Sequence, residues 1–141
     1  MEVSALIENG QGRHHVTLTT NGATHALKIP ANVDGSGSEA TGGEILFLAL
    51  ATCYCNAIYR EAKARGIRVE TVDVKVNGEF EGPGQPARRV RYRAKVRAHA
   101  PEEAIRSLME HTNQAAEVYA TVRDAVPVEL EDFEAESLGD S

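Results

Sequence analysis

The chain has two cysteines, Cys53 and Cys55, separated by one residue in an apolar stretch. A Cys-x-Cys pair invites a disulfide or shared ligation of a soft metal. A regular helix denies both, because positions i and i+2 point about 200° apart. They are therefore read as two separate thiols. On its own helical face Cys53 has Leu46, Ala49, Leu50, Asn56, Ala57 and Arg60, whereas Cys55 has Leu48, Ala51, Ile58, Tyr59 and Ala62. Only the Cys53 face carries polar groups, and Asn56 and Arg60 are its candidate substrate-binding residues. A reactive thiol needs a cation or donor to stabilise its thiolate. The helix N-terminus lies more than two turns away, and its dipole fades within the first turn. Arg60 is about 10 Å along the helix from Cys53, within reach of its long side chain alone. A cation from another segment is expected, and Cys55 is a secondary thiol.

Other chemistries find less support. The histidines His14, His15, His25, His99 and His111 show no ligand spacing such as His-x-x-x-His, so no metal is expected. The Gly35–Gly43 stretch has neither the phosphate-loop nor the dinucleotide spacing, and no Gly-x-Ser-x-Gly elbow occurs. No cofactor is expected. Arg88, Arg89, Arg91, Arg93, Lys95 and Arg97 read as the solvated face of a strand.

The element that positions Cys53 is a long helix. Thr41 is its N-cap and Glu44, three residues on, completes a capping-box spacing. No Gly or Pro occurs from Glu44 to Arg65, and Gly66 closes the helix. Ile45-Leu46-Phe47-Leu48-Ala49-Leu50-Ala51 is apolar on every face, so it must be buried on every face. One small domain rarely surrounds a helix, so a partner subunit is inferred to cover part of it. Before the helix, residues 3–8 and 14–29 read as strands, with Asn21-Gly22 as a type I′ hairpin signal. Residues 30–43 form a long loop, either functional or disordered. After Gly66, Val69–Phe80 and Arg89–Ala98 alternate and form an antiparallel hairpin. Pro101 opens a second helix running to about Thr112, a third spans about Gln114–Arg123, and Val126–Leu130 is a last strand. The order β-β-β-α-β-β-α-α-β makes the chain α+β.

Length and charge bound the rest. The 141 residues favour one domain, read as 1–131 with an acidic tail at 132–141. Fifteen basic residues against 21 acidic leave a net charge of −6. Six of the acids fall in the final stretch from Glu129, which has no Lys or Arg, so the body is neutral. With no basic stripe, nucleic acid is a poor electrostatic match. The longest uncharged apolar run, Ile45 to Tyr59, is shorter than the roughly 20 residues of a membrane helix. The N-terminus has no signal-peptide pattern, and two thiols without an export signal fit a reducing cytoplasm.

Gly43-Glu44-Ile45-Leu46-Phe47-Leu48-Ala49-Leu50-Ala51-Thr52-Cys53, followed by Ala62-Lys63-Ala64-Arg65-Gly66-Ile67, resembles the central helix of the OsmC/Ohr family. These are the osmotically inducible and organic hydroperoxide resistance proteins. Val72–Phe80 and Val126-Pro127-Val128-Glu129 extend the likeness, and the element order agrees over nearly the whole chain. The resemblance implies an intertwined homodimer with sheets wrapped around paired central helices. It implies antioxidant, peroxiredoxin-like thiol peroxidase chemistry on small organic hydroperoxides, in which a thiolate becomes a sulfenic acid. It places Cys53 at the peroxidatic position, with Arg13 and Glu44 as the candidate catalytic partners. The cleft would lie at the dimer interface, where Cys53, Glu44, Asn56 and Arg13 meet.

Two departures stand out. Gly43 occupies a position that is acidic in active members, leaving Glu44 one residue out of register. The family's second, resolving cysteine is replaced by Ala116-Glu117-Val118, so the sulfenic acid would need an external thiol reductant. The rival expectation is a non-catalytic member that holds a small apolar ligand at the dimer interface.

Overall fold

The computed structural model describes residues 1–129, 131–132 and 134–138. Eight elements follow in order: β1 (Val3–Gly10), β2 (Arg13–Thr20), β3 (Ala23–Ala26), α1 (Gly42–Ala64), β4 (Arg68–Glu79), β5 (Arg88–His99), α2 (Glu102–Ala115) and α3 (Glu117–Arg123). The α+β class and the first eight elements of the expected order are therefore present. The expected strand at Val126–Leu130 is corrected: residues 126–129 join no ladder, and Leu130 lies outside the described residues. Ala125 turns the chain at φ 51°, and Pro127 has no N–H to give a ladder.

Internal contacts divide the chain into two compact units, residues 1–52 with 73–95 and residues 53–72 with 96–141, so α1, β4 and β5 each run through both. In the first unit β1, β2 and β3 form an antiparallel sheet, with Ile7 opposite Val16 and Leu18 opposite His25. Two tight turns close its hairpins. Asn21-Gly22 does so as expected, with φ of 48° and 83°. Gln11-Gly12 repeats the device at 53° and 76°, the double positive φ of a type I′ turn.

The long loop between β3 and α1 is held to that sheet by a side-chain clamp. The Asn9 amide nitrogen donates to the Gly37 carbonyl at 3.1 Å, and the Gly37 N–H donates to Asn9 Oδ1 at 3.2 Å. Asn9 Nδ2 also lies 3.1 Å from His14 Nδ1. Inside the loop, Ala31 and Ser38 bridge.

Helix α1 starts and stops by local chemistry. Glu44 Oε1 accepts from the Thr41 N–H at 2.9 Å while the Glu44 N–H donates to Thr41 Oγ1 at 3.1 Å, a completed capping box. At its end Gly66 sits at φ 67°, the Ile67 N–H reaches the Ala62 carbonyl and the Gly66 N–H reaches Lys63, a Schellman motif. Phe47 stacks on Phe80 of the β4–β5 connection, ring centroids 5.8 Å apart. Each ring rests on a glycine: a Cβ on Gly78 would meet Phe47 at 2.5 Å, and one on Gly43 would meet Phe80 at 2.7 Å. Gly43, the departure from the acidic pattern, is thus the floor of an aromatic contact.

The second unit holds most of the fully buried side chains. Tyr54, Ala57, Ile58 and Ala62 of α1 are buried with Leu108 and Thr112 of α2, Ala116, and Tyr119 of α3. The spacing in α1 puts these side chains on one helical stripe, and burying Ile58 or Leu108 contributes about 1.5–3 kcal/mol each. The buried Thr112 hydroxyl donates to the Leu108 carbonyl at 2.7 Å, and the Tyr54 hydroxyl donates to the Met109 carbonyl at 3.1 Å. Among the described residues α1 is the one helix long and apolar enough to cross a membrane, but its second half instead forms this core. Its first half is less covered, with Leu46 at 37% and Leu48 at 53% exposure in the single chain.

Candidate functional site

Cys53 is half-buried on α1, and its sulfur points at α3. The thiol is 4.0 Å from Glu117 Oε2, a contact across 64 residues of sequence. Glu117 opens α3 because α2 ends at Ala115 and the fully buried Ala116 is extended, at φ −76° and ψ 118°. That single extended residue redirects the chain and turns the Glu117 side chain toward α1.

Arg60, two turns beyond Cys53 on the same face, holds the carboxylate in place. Its Nη1 donates to Glu117 Oε1 at 2.7 Å, its Nη2 to the Ala115 carbonyl at 3.2 Å and its Nε to Glu61 Oε1 at 3.1 Å. The guanidinium fork is thus engaged along its length, which fixes its plane. The other Glu61 oxygen lies 3.2 Å from His111 Nε2. A chain of polar groups runs from the Cys53 thiol through Glu117, Arg60 and Glu61 to His111.

The electrostatics follow from these bonds. The Glu117 carboxyl is held below its ordinary pKa, first by its own backbone N–H and then by Arg60. The Arg60 guanidinium is raised, chiefly by Glu117 and then by Glu61. Glu117 therefore stands ionised beside the thiol as a proton acceptor. A carboxylate alone would oppose negative charge on the sulfur, and Arg60 offsets that charge. The arrangement sets an ionised carboxylate, whose side chain is 64% exposed, where it can accept a proton from the half-buried sulfur.

Of the expected site residues, the structure brings together Cys53 and Arg60, with Glu117 between them. Asn56 is exposed on the same helical face. Glu44 is used in the capping box, about 13 Å along the helix from Cys53, and its carboxyl is lowered by the Thr41 N–H and hydroxyl. Arg13 lines an open cleft of the first unit with Glu8, Asn9, Gly10, Gln11 and His15. Cys55 is half-buried and free, two residues on along an unbroken helix. Among the described residues no group of three His, Cys, Asp or Glu is placed to hold a metal.

Sequence reasoning missed Glu117, Glu61 and His111. For Glu117 a signal existed: it stands in the register where a second thiol was expected and not found.

The sequence model describing OsmC-like protein matches residues 35–131, more than half of the chain. No curated protein matches. Among solved structures, an OsmC-like protein from Mycoplasma pneumoniae superposes with a TM-score of 0.59 at 15% identity, over 86% of each chain. An OsmC-like hydroperoxide resistance protein from Jannaschia sp. CCS1 gives 0.53 at 15% identity over 93% of each. An organic hydroperoxide resistance protein OsmC from Legionella pneumophila gives 0.52 at 18%, covering 87% of this chain and 90% of that one. At such identities the likeness is one of fold. Together with the family match, it establishes that the chain belongs to the OsmC-like protein family.

Proposed function

We propose that this protein reduces small organic hydroperoxides through Cys53, as a one-cysteine thiol peroxidase of oxidative stress defence. The observation that carries the reading is the Cys53 sulfur set against a carboxylate that Arg60 pins in place. Names of similar folds, two of them hydroperoxide resistance proteins, agree with it. On this reading the sulfur attacks the terminal peroxide oxygen, an S–O bond forms, the O–O bond breaks and an alcohol leaves. Sulfur is oxidised to the sulfenic acid as the peroxide is reduced. An external thiol condenses with the sulfenic acid, releasing water, and a second thiol frees Cys53 by exchange.

The proposal takes residues 1–131 as one OsmC-like domain, with 132–141 as a solvated tail. It places the protein in the cytoplasm as a homodimer covering the exposed Leu46 and Leu48 of α1. Arg13, Glu44 and Asn56 enter through the cleft formed at that interface. The exposure of those leucines also favours the second reading, an apolar ligand held at the interface without chemistry.

One experiment separates the two. Protein is treated with cumene hydroperoxide below one equivalent, and Cys53 is then followed by mass analysis. Oxygen addition at Cys53, absent from Cys53→Ser, is expected. Intact Cys53 at that dose removes the peroxidase reading and leaves ligand binding.

A further inference from the structure

We propose that Glu117 is the proton carrier of the Cys53 reaction, taking the thiol proton as sulfur attacks and delivering it to the departing oxygen. This rests on the reading of Cys53 as the peroxidatic thiol. The geometry divides the two carboxylate oxygens between two tasks. Oε1 is committed to Arg60 at 2.7 Å, which sets the plane of the carboxylate, while Oε2 faces the sulfur at 4.0 Å. Catalytic hydrogen bonds are often long before substrate arrives, and this one must shorten for transfer. Glu117 sits at the start of a helix with its side chain exposed, so a peroxide can approach the same Oε2 that faces the sulfur.

Neighbouring groups are poorly suited to the task. Arg60 does not release a proton in this range. Glu61 is tied to Arg60 and His111, and Glu44 to Thr41. The step balances: Cys53 loses its proton to Glu117, sulfur bonds to the distal OH, the O–O bond breaks, and the alkoxide leaves as the alcohol with the proton from Glu117. A weak base suffices, because the final owner of the proton is a strongly basic alkoxide.

This role makes the leaving group diagnostic. An alkyl hydroperoxide expels an alkoxide that needs a proton, whereas a peracid expels a carboxylate that does not. The rate of Cys53 sulfenic acid formation is measured with cumene hydroperoxide and with peracetic acid. Glu117→Gln should lose about 100-fold or more with the hydroperoxide and under about 10-fold with the peracid, within the usual span for acid–base catalysis. Glu117→Asp should restore most of the difference. The ratio of the two rates is internal to each variant, so a partly unfolded sample does not distort it. Equal losses on both peroxides in Glu117→Gln, or a Glu117→Asp variant whose ratio stays at the Glu117→Gln value, overturn the proton carrier. If Cys53→Ser consumes both peroxides at the wild-type rate, the peroxidase reading itself fails, whatever Glu117 does.

Discussion

Gly78→Ala tests how the first half of α1 is seated. A Cβ at this position would lie 2.5 Å from Phe47 Cζ, 3.0 Å from Cε2 and 3.2 Å from Val90 Cγ2. Ordinary contact begins near 3.4 Å, so the Phe47 ring must move by about 1 Å. Its way is partly blocked, because Phe47 stacks on Phe80, and Phe80 rests on Gly43. Overpacking of this kind costs about 1–3 kcal/mol. Against it, Ala is favoured over Gly within a strand by about 0.5–1 kcal/mol. The balance is a loss of about 1 kcal/mol. The assay is urea unfolding followed by far-UV circular dichroism, at one protein concentration so that association does not shift the midpoint. In a Phe47→Leu background the ring edge is gone, and Gly78→Ala should become neutral or stabilising by about 0.5 kcal/mol. The same loss in both backgrounds, or none in either, would refute the aromatic seat.

Two further predictions concern the ends of α1 and the behaviour in acid. Thr41→Ala removes one half of the capping box and should lower stability by about 1 kcal/mol, read from the same urea midpoint. Glu44 and Glu117 have folded-state pKa values lowered by hydrogen bonds, to Thr41 for the first and to its own N–H and Arg60 for the second. Their stabilisation is present above the ordinary carboxylate pKa and disappears as pH falls through the folded values. The urea midpoint should therefore drop from about pH 5 downwards, and Glu117→Gln should flatten that drop. A Glu117→Gln curve parallel to wild type would show that Arg60 does not hold the carboxylate.

Helix α1 was legible in the sequence because its signals are local. The Thr41–Glu44 box and the Gly66 stop act within five residues of the bonds they make. Asn21-Gly22 encoded a hairpin by the positive φ that these two residues tolerate. The separation of Cys53 from Cys55 followed from the helical period alone. The Gln11-Gly12 turn escaped notice because Gln is an uncommon first residue of such a turn, and the neighbouring strands enforce its φ of 53°.

The site itself divides along the same line. Cys53 and Arg60 on one face, about two turns apart, are properties of one helix and could be read from spacing. Glu117 is not read from local spacing, since nothing in α3 itself announces that its carboxylate meets a sulfur 64 residues earlier, and only its place in the register of the missing second thiol pointed there. That contact depends on Ala116 being buried and extended, and on Tyr54, Ile58, Leu108 and Tyr119 packing α1 against α2 and α3. Gly43 and Gly78 tell the same story, because a missing side chain is meaningful only once the ring that fills its place is known. Hydrogen bonds within a turn are specified by the residues that make them, so the sequence alone determined the helix and the thiol. Long-range packing brings together groups that carry no mark of one another, and the tertiary structure alone decided which carboxylate that thiol faces.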